Sequence, residues 1–190
     1  FPAVEVSRRP PLMVAAGWLA FYSGRRDEVA EWLALLEPLA ADTVMPDQGP
    51  GLELARAALS MTAGLGGTLL LLRDAEIVCS HGSTGNPWWP LAVHFEVLGR
   101  LLTGRLPADE QVEATTKARL AVQGTGTTHA VVTAQAALVH LRLGEEARGQ
   151  QLIAEATAEL VALGLEGYWL AGMIHAVSAY ASARRRDAAA

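Results

Sequence analysis

The amino-acid sequence predicts an all-α fold, and three observations lead to that prediction. Helix-favouring alanine and leucine dominate the chain, whereas no run of alternating β-branched residues is long enough to predict a strand. A recurring glycine also ends one apolar helical pattern after another. These glycines lie forty residues apart at Gly24, Gly64, Gly104 and Gly144, and Arg184 occupies the fifth position. Because glycine readily adopts the left-handed conformation that ends helices, each unit is predicted to be a helical hairpin.

The apolar periodicity predicts about nine helices in a single domain of residues 1–190, arranged as four stacked antiparallel hairpins and a final helix. The hairpins are expected at approximately residues 11–37, 51–79, 88–122 and 128–162, and the final helix at residues 166–186. The first helices of the hairpins are predicted at residues 11–23, 51–63, 88–103 and 128–143. The second helices are predicted at residues 27–37, 67–79, 108–122 and 145–162. Pro50 and Pro90 suit the first turn of the helices that follow them, where a missing N–H costs little.

The most conspicuous connector is "SHGSTGNPWWP", residues 80–90. A phosphate-binding loop is a poor interpretation, because Gly82 and Gly85 are not followed by the lysine and hydroxyl residue that such a loop requires. A metal site is equally weak, since Cys79 and His81 have no second pair of ligands at a suitable spacing. Glycine, serine, asparagine and proline are typical of turns, so the segment is predicted to be a joint between two hairpins.

Composition limits the classes of partner. The chain has 15 basic against 20 acidic residues and a net charge of -5, which argues against direct contact with nucleic acid. The longest charge-free stretch, residues 57–72, is shorter than the about 20 residues that span a bilayer, so no membrane segment is predicted.

Cys79 is the single cysteine, which fits a reducing cytoplasm. The chain opens at Phe1 without an initiator methionine, so we expect a segment of a longer protein.

The stretch "GWLAFYSGRRDEVAEWL", residues 17–33, resembles a tetratricopeptide repeat, with Gly17 at the helix crossing, Gly24 at the turn and Trp32 packed inward. The forty-residue spacing and "NPWWPLAVHFEVLGRLLTGR", residues 86–105, resemble the superhelical repeat domain of large ATP-dependent LuxR-type bacterial regulators, the relatives of the maltose-regulon activator. The resemblance implies a right-handed superhelix of stacked hairpins. It also implies a nucleotide-binding module and a DNA-binding helix-turn-helix elsewhere in the parent protein, because these 190 residues contain neither motif.

In such an array the first helices line a concave groove, and the repeat register predicts which side chains face it. The candidate lining residues are Val14, Trp18, Phe21, Tyr22, His94, Leu98 and Arg142. An apolar lining suits a small apolar molecule or a peptide, or another part of the parent protein that fills the groove. The competing interpretation is that these side chains form the core of a tightly wound array. His94 is singled out because it could donate a hydrogen bond to a ligand or change its charge near neutral pH.

Trp88 and Trp89 follow one another at the start of a predicted helix. Adjacent helical side chains point about 100° apart, so the two rings cannot enter the same part of a core. We therefore expect one ring to pack beneath the joint and the other to border the groove, although both could simply seal the connector.

No set of nucleophile, base and orienting residue for catalysis is recognisable in the sequence, and the isolated histidines lack the spacing of a helical metal site. We therefore expect no enzymatic activity, no metal and no cofactor in this segment. The leading hypothesis is a ligand-sensing or protein-docking domain of a LuxR-type transcriptional regulator that binds in its concave groove. The alternative is a stand-alone adaptor that binds a peptide or protein through the same groove.

Overall fold

The computed structural model describes residues 9–39, 51–82, 84 and 86–187, and within them every regular element is an α-helix. The all-α prediction is therefore confirmed. The nine helices of these residues are α1 (Pro10–Tyr22), α2 (Arg26–Leu36), α3 (Leu52–Ala63), α4 (Gly67–Ser80), α5 (Trp89–Leu102), α6 (Gln111–Ala121), α7 (Thr127–Arg142), α8 (Glu146–Ala162) and α9 (Ala171–Asp187).

Most helix boundaries lie within a residue or two of the predicted positions, and α9 differs most. The sequence predicts that the last helix begins at residue 166, but α9 begins at Ala171. The intervening residues form four-residue turns, in which the amide of Tyr168 donates to the carbonyl of Leu165 and the amide of Ala171 donates to the carbonyl of Tyr168. The left-handed Gly164, with a φ of 65°, ends the preceding helix. After Gly164 the apolar residues keep the spacing that is typical of a helix, although the backbone there forms turns.

The four glycines of the forty-residue period all adopt the left-handed conformation that the sequence predicts. Their φ angles are 72° at Gly24, 61° at Gly64, 69° at Gly104 and 83° at Gly144. After three of these glycines, the amide of the next residue donates a hydrogen bond to the carbonyl five residues earlier. An example is the bond from the amide of Arg25 to the carbonyl of Ala20. These bonds satisfy carbonyl groups that the end of a helix leaves without a partner. The ends of the helices before these glycines are thus determined locally.

The chain divides into two compact units, one ending at Gly99 and the other beginning at Arg100, within α5. In the first, called unit 1, helix α3 is buried on almost every side. Its alanine and leucine side chains pack with Ala75 and Val78 of α4 and with Ala92 of α5. Gly17 lets α1 approach α3 closely, since a Cβ atom at this position would lie 2.4 Å from Cδ2 of Leu59.

In the second unit, unit 2, the most buried helix is α7. Residues 130–137 of α7 are all buried, and the helix packs against α6, α8 and α9. Helix α8 contributes Leu152, Ala156 and Leu160, which recur every fourth residue and are all buried. This periodicity places them on one face of α8, which is the face that an amphipathic helix buries.

Candidate binding site

Asn86 holds the joint between α4 and α5 in place. Its Nδ2 donates to the carbonyls of Val78, at 3.1 Å, and Gly82, at 3.2 Å, while its Oδ1 accepts from the amide of Trp88 at 3.1 Å. The side chain is buried, so these bonds satisfy the groups that the end of α4 would otherwise leave without partners. Asn86 thereby places Trp88 at the start of α5. These hydrogen bonds from Asn86 to backbone groups are the kind that fix a connector between two helices.

His81 has a comparable structural position at the end of α4. Its Nδ1 lies 2.9 Å from the carbonyl oxygen of Ile77, and Ser80 donates to the same carbonyl at 2.7 Å. A carbonyl can only accept, so the bond from His81 uses the tautomer that carries its proton on Nδ1. Ser83 and Gly85, which the sequence places in this joint, lie outside the described residues.

Four aromatic side chains come together in unit 1, and all four were predicted as site residues. Trp18, Phe21 and Tyr22 belong to α1, and Trp88 comes from the joint before α5. The rings of Trp18 and Trp88 are parallel within 6° with centroids 6.2 Å apart, and Tyr22 stacks on Trp18 at 5.9 Å. Phe21 meets Trp18 edge to face at 6.0 Å. We call these four residues the aromatic cluster.

Trp18 is the centre of the aromatic cluster and links it to the core. The ring packs against three groups of buried side chains, contributed by α1 to α5, yet it remains partly exposed. Its indole Nε1 is buried, and no acceptor among the described residues reaches it. A buried donor without an acceptor costs about 1–3 kcal/mol, so an acceptor supplied by a bound molecule would be stabilised there. The cluster therefore offers partly exposed apolar ring faces, whereas the indole donor lies beneath the surface and is reached by an acceptor only when the side chains around it move apart.

The other predicted lining residues lie elsewhere. Val14 is buried with Met13, Leu36, Leu52 and Ala55, inside the core of unit 1. His94 is also buried, and its ring centroid is 4.7 Å from that of Phe95.

Leu98 packs on the core of unit 1 from a partly buried position. Arg142 is exposed at the end of α7, in unit 2. Trp89, the first residue of α5, is partly buried like its neighbour Trp88. Of the predicted residues, the structure thus brings together only the aromatic cluster as one partly exposed group.

Sequence reasoning missed the outward face of α1. This face, called the outer stripe, consists of the exposed residues Leu12, Ala15, Leu19 and Tyr22. Leu19 is 64% and Tyr22 68% exposed, although both are large and apolar. The helix sequence "PPLMVAAGWLAFY" contains no charged side chain, so it gives no contrast that would reveal which face is exposed. A helix that is apolar all round is normally buried on every side, and α1 is buried on one side only.

Polar contacts in unit 2 tie its helices together. Arg119 of α6 donates to Thr133 of α7 at 3.1 Å and forms an ion pair with Glu155 of α8. His129 of α7 lies 2.7 Å from Glu159, one turn further along α8. These contacts link three helices and are fully explained by that structural role.

Arg184 of α9 ties unit 2 at another point. Its guanidinium donates to the carbonyl of Leu141 at the end of α7, at 2.7 Å, and lies 3.3 Å from Glu146 at the start of α8. A hydrogen bond with Tyr180 raises the pKa of this guanidinium. A cation suits the carbonyl end of a helix, so Arg184 serves as a cap for α7.

An exposed ion pair on α6 joins Lys117 to Glu113, one turn earlier. The hydrogen bond from Lys117 lowers the pKa of the Glu113 carboxyl, and the same bond raises the pKa of Lys117. Exposed pairs of this kind contribute little to stability.

Within the part of the chain that the structure describes, no group of three or more metal-binding side chains occurs. No helix among these residues is long and apolar enough to cross a membrane. Comparison with family models, with curated proteins and with solved structures finds no match to this chain.

Proposed function

We propose that this chain is a non-enzymatic binding domain, the ligand-sensing or protein-docking segment of a LuxR-type bacterial transcriptional regulator, and that the aromatic cluster is its binding site. The observation that carries the proposal is the buried Nε1 of Trp18, which lies among partly exposed rings and has no acceptor among the residues that the structure describes. The regulator assignment rests on the resemblance of residues 17–33 and 86–105 to that family. The left-handed glycines at forty-residue intervals support it, because a repeat array needs a regular turn.

The aromatic cluster suits a molecule that combines an apolar body with a hydrogen-bond acceptor. Such a molecule would cover the exposed Tyr22 and, once the side chains around the buried Trp18 indole move apart, supply it with an acceptor. The same chemistry is met by a small apolar ligand with a carbonyl or acidic group and by a peptide with its backbone carbonyls. The occupant would lie between α1 and the start of α5, since Trp18 and Trp88 come from these two segments.

Regulation would follow from a change in the population of two arrangements of the parent protein. A ligand shifts such an equilibrium only if it binds one arrangement more tightly than the other. The Trp18–Trp88 contact joins segments that are seventy positions apart in the sequence, so a molecule bound there would hold α1 and α5 in one fixed geometry. We propose this geometry as the signal that reaches the rest of the regulator.

A stand-alone adaptor is the second candidate function, and the outer stripe favours it. Exposed apolar side chains at Leu12, Leu19 and Tyr22 suit a protein partner better than a small ligand, because they extend along the whole of α1. The sequences that flank this chain in its parent discriminate between the two candidates. A nucleotide-binding module before it and a helix-turn-helix after it would identify the regulator.

The fluorescent probe anilinonaphthalene sulfonate (ANS) tests the binding site, because it has apolar rings and an acidic acceptor group. We expect saturable binding of one probe per chain, which is measured through energy transfer from tryptophan to the bound probe. Trp18→Phe, which keeps an aromatic ring but removes the donor, should weaken binding by about tenfold. Tyr22→Ser, at an exposed position, should also weaken it without lowering the melting temperature.

The matched control is Trp169→Phe, at an exposed tryptophan of unit 2. This variant should leave the affinity for ANS unchanged. Equal affinities in all three variants would place the site elsewhere. The absence of saturable binding would mean that the chain has no site for ANS. Either result would refute the proposed function.

A further inference from the structure

Asn86 connects the end of α4 to one half of the Trp18–Trp88 contact. Its Nδ2 donates to the carbonyl of Val78, in the last turn of α4, and its Oδ1 accepts from the amide of Trp88. Asn86 is buried, so water has little access to either bond. A single amide group therefore links the backbone of α4 to the backbone of the residue that contributes the second indole ring.

The carbonyl of Val78 depends on Asn86 for its partner. Within a helix this carbonyl would accept from the amide four residues later, which belongs to Gly82. The amide of Gly82 donates instead to the carbonyl of Cys79, at 3.0 Å, because α4 has ended. Asn86 supplies the missing donor, and it donates to the carbonyl of Gly82 as well.

Val78 also belongs to the core on which both indole rings rest. It is completely buried in the group of side chains from α3, α4 and α5, and Trp18 and Trp88 both pack against that group. Trp88 is thus attached to this part of the core in two ways, by the packing of its ring and by the bonds of Asn86. Loss of the Asn86 bonds would release the backbone of Trp88 and leave the side chain of Val78 in place.

The backbone between Asn86 and Trp88 is stiff. Pro87 separates them, and its ring fixes φ near −65°. A residue that precedes proline is itself restricted to extended conformations. The amide of Trp89 donates to the backbone carbonyl of Asn86, at 3.2 Å, which closes the turn. A displacement of Asn86 would therefore be passed on to Trp88, because the intervening residue cannot absorb it.

We propose that Asn86 is a positioning residue of the aromatic cluster: it holds the Trp88 ring against Trp18, and the affinity of the cluster for its ligand depends on Asn86 through Trp88. This inference rests on the proposed binding function. Asn86 is buried in the joint and does not itself contact the ligand. The two indole rings are parallel within 6°, and contacts with aromatic faces depend on the orientation of the rings.

Asn86→Asp tests the proposal with little change of shape. An ionised aspartate can still accept from the amide of Trp88, but it has no donor for the carbonyls of Val78 and Gly82. We expect the affinity for ANS to fall by about tenfold. In the proton–nitrogen spectrum of the free chain, the Trp88 indole signal should move.

A second variant covers the case in which Asn86→Asp does not fold. The hydroxyl of Asn86→Ser can accept from the amide of Trp88 but is too short to reach Val78. It should lower the affinity for ANS and move the Trp88 indole signal in the same way. Unchanged affinity and an unmoved signal in a folded Asn86→Ser chain would overturn the proposal.

A double-mutant cycle separates positioning from a general loss of stability. Trp88→Leu alone should weaken ANS binding. Adding Asn86→Asp to Trp88→Leu should change the affinity by less than about twofold, because the ring that Asn86 positions is gone. The melting temperature should fall on adding Asn86→Asp in either background. A further tenfold loss of affinity in the Trp88→Leu background would show that Asn86 acts on unit 1 as a whole, which would overturn the proposal.

Ser80→Ala is the matched control at the same end of α4. Ser80 donates to the carbonyl of Ile77 at 2.7 Å, and its side-chain contacts stay within α4 and His81. Its replacement should leave the affinity for ANS within about twofold and the Trp88 indole signal in place. A loss of affinity as large as that of Asn86→Asp would mean that loosening the end of α4 is sufficient, contrary to the proposal.

Failure of this inference is distinguishable from failure of the proposed function. If Asn86→Asp binds ANS as tightly as the unaltered chain while Trp18→Phe still weakens binding, only the role of Asn86 is refuted. If ANS binding responds to neither Trp18→Phe nor Trp88→Leu, the aromatic cluster is not the site and the proposed function itself is refuted.

Discussion

Replacing Leu152 with alanine is expected to lower the free energy of unfolding by about 2–5 kcal/mol, the range for leucine removed from a packed core. Leu152 is completely buried on α8, one turn before the equally buried Ala156. Helix α8 packs closely on α7, the central helix of unit 2. A cavity at this position would remove apolar contacts that the surrounding helices cannot easily replace, because α7 is buried on nearly every side.

Chemical denaturation monitored by circular dichroism measures this loss. The matched control is Val161→Ala on the same helix, where the side chain is 54% exposed. This control should change the free energy of unfolding by less than about 0.5 kcal/mol. If Leu152→Ala had no larger effect than Val161→Ala, the close packing of α8 on α7 would be wrong.

Replacing Gly17 with valine is expected to lower the free energy of unfolding by about 1–3 kcal/mol and to weaken ANS binding as well. A Cβ atom at Gly17 would lie 2.4 Å from Cδ2 of Leu59 and 3.6 Å from Cβ of Trp32. Leu59 is completely buried on α3, so it has little room to move. Helix α1 would therefore shift outward, and Trp18 would shift with it.

Thermal unfolding and the ANS titration measure the two effects of Gly17→Val. Ala15→Val places the same side chain on the exposed face of α1 and should leave the melting temperature nearly unchanged. An unchanged melting temperature for Gly17→Val would contradict the close approach of α1 and α3. Full stability with lost ANS binding would show that an outward shift of α1 is not the cause of the weaker binding.

Much of the helical architecture could be predicted because its turns depend on local sequence. A left-handed residue after an apolar helix is nearly always glycine, and the glycines at 24, 64, 104 and 144 occupy that conformation. The spacing of these glycines therefore located the ends of the first helices to within two residues. The start of α9 was predicted five residues too early, because a segment of turns continues the apolar pattern without continuing the helical hydrogen bonds.

The members of the aromatic cluster could be predicted, but the contacts between them could not. The repeat register placed Trp18, Phe21 and Tyr22 on one surface, whereas the pairing of Trp18 with Trp88 depends on how α1 packs beside the joint. The burial of His94 and Val14 depends likewise on which neighbouring helices cover them. A residue periodicity gives the directions of side chains on their own helix and does not say what lies opposite.

The outer stripe was missed for a related reason. The direction of burial is predicted from the contrast between polar and apolar faces, and α1 has no polar face to provide that contrast. Its inward and outward sides therefore look alike in the sequence. The packing of Met13, Val14, Gly17 and Ala20 against α2 and α3 determines which side is exposed.

The most direct test of the aromatic cluster as a binding site is the proton–nitrogen spectrum of the indole groups during an ANS titration. The chain has five tryptophans, and the Trp18 signal can be assigned by its loss in Trp18→Phe. We predict that the indole signals of Trp18 and Trp88 move together, with the Trp18 proton shifting downfield as it gains an acceptor, while the Trp169 signal stays in place. Movement of the Trp169 signal with those of Trp18 and Trp88 unchanged would contradict a binding site at the aromatic cluster.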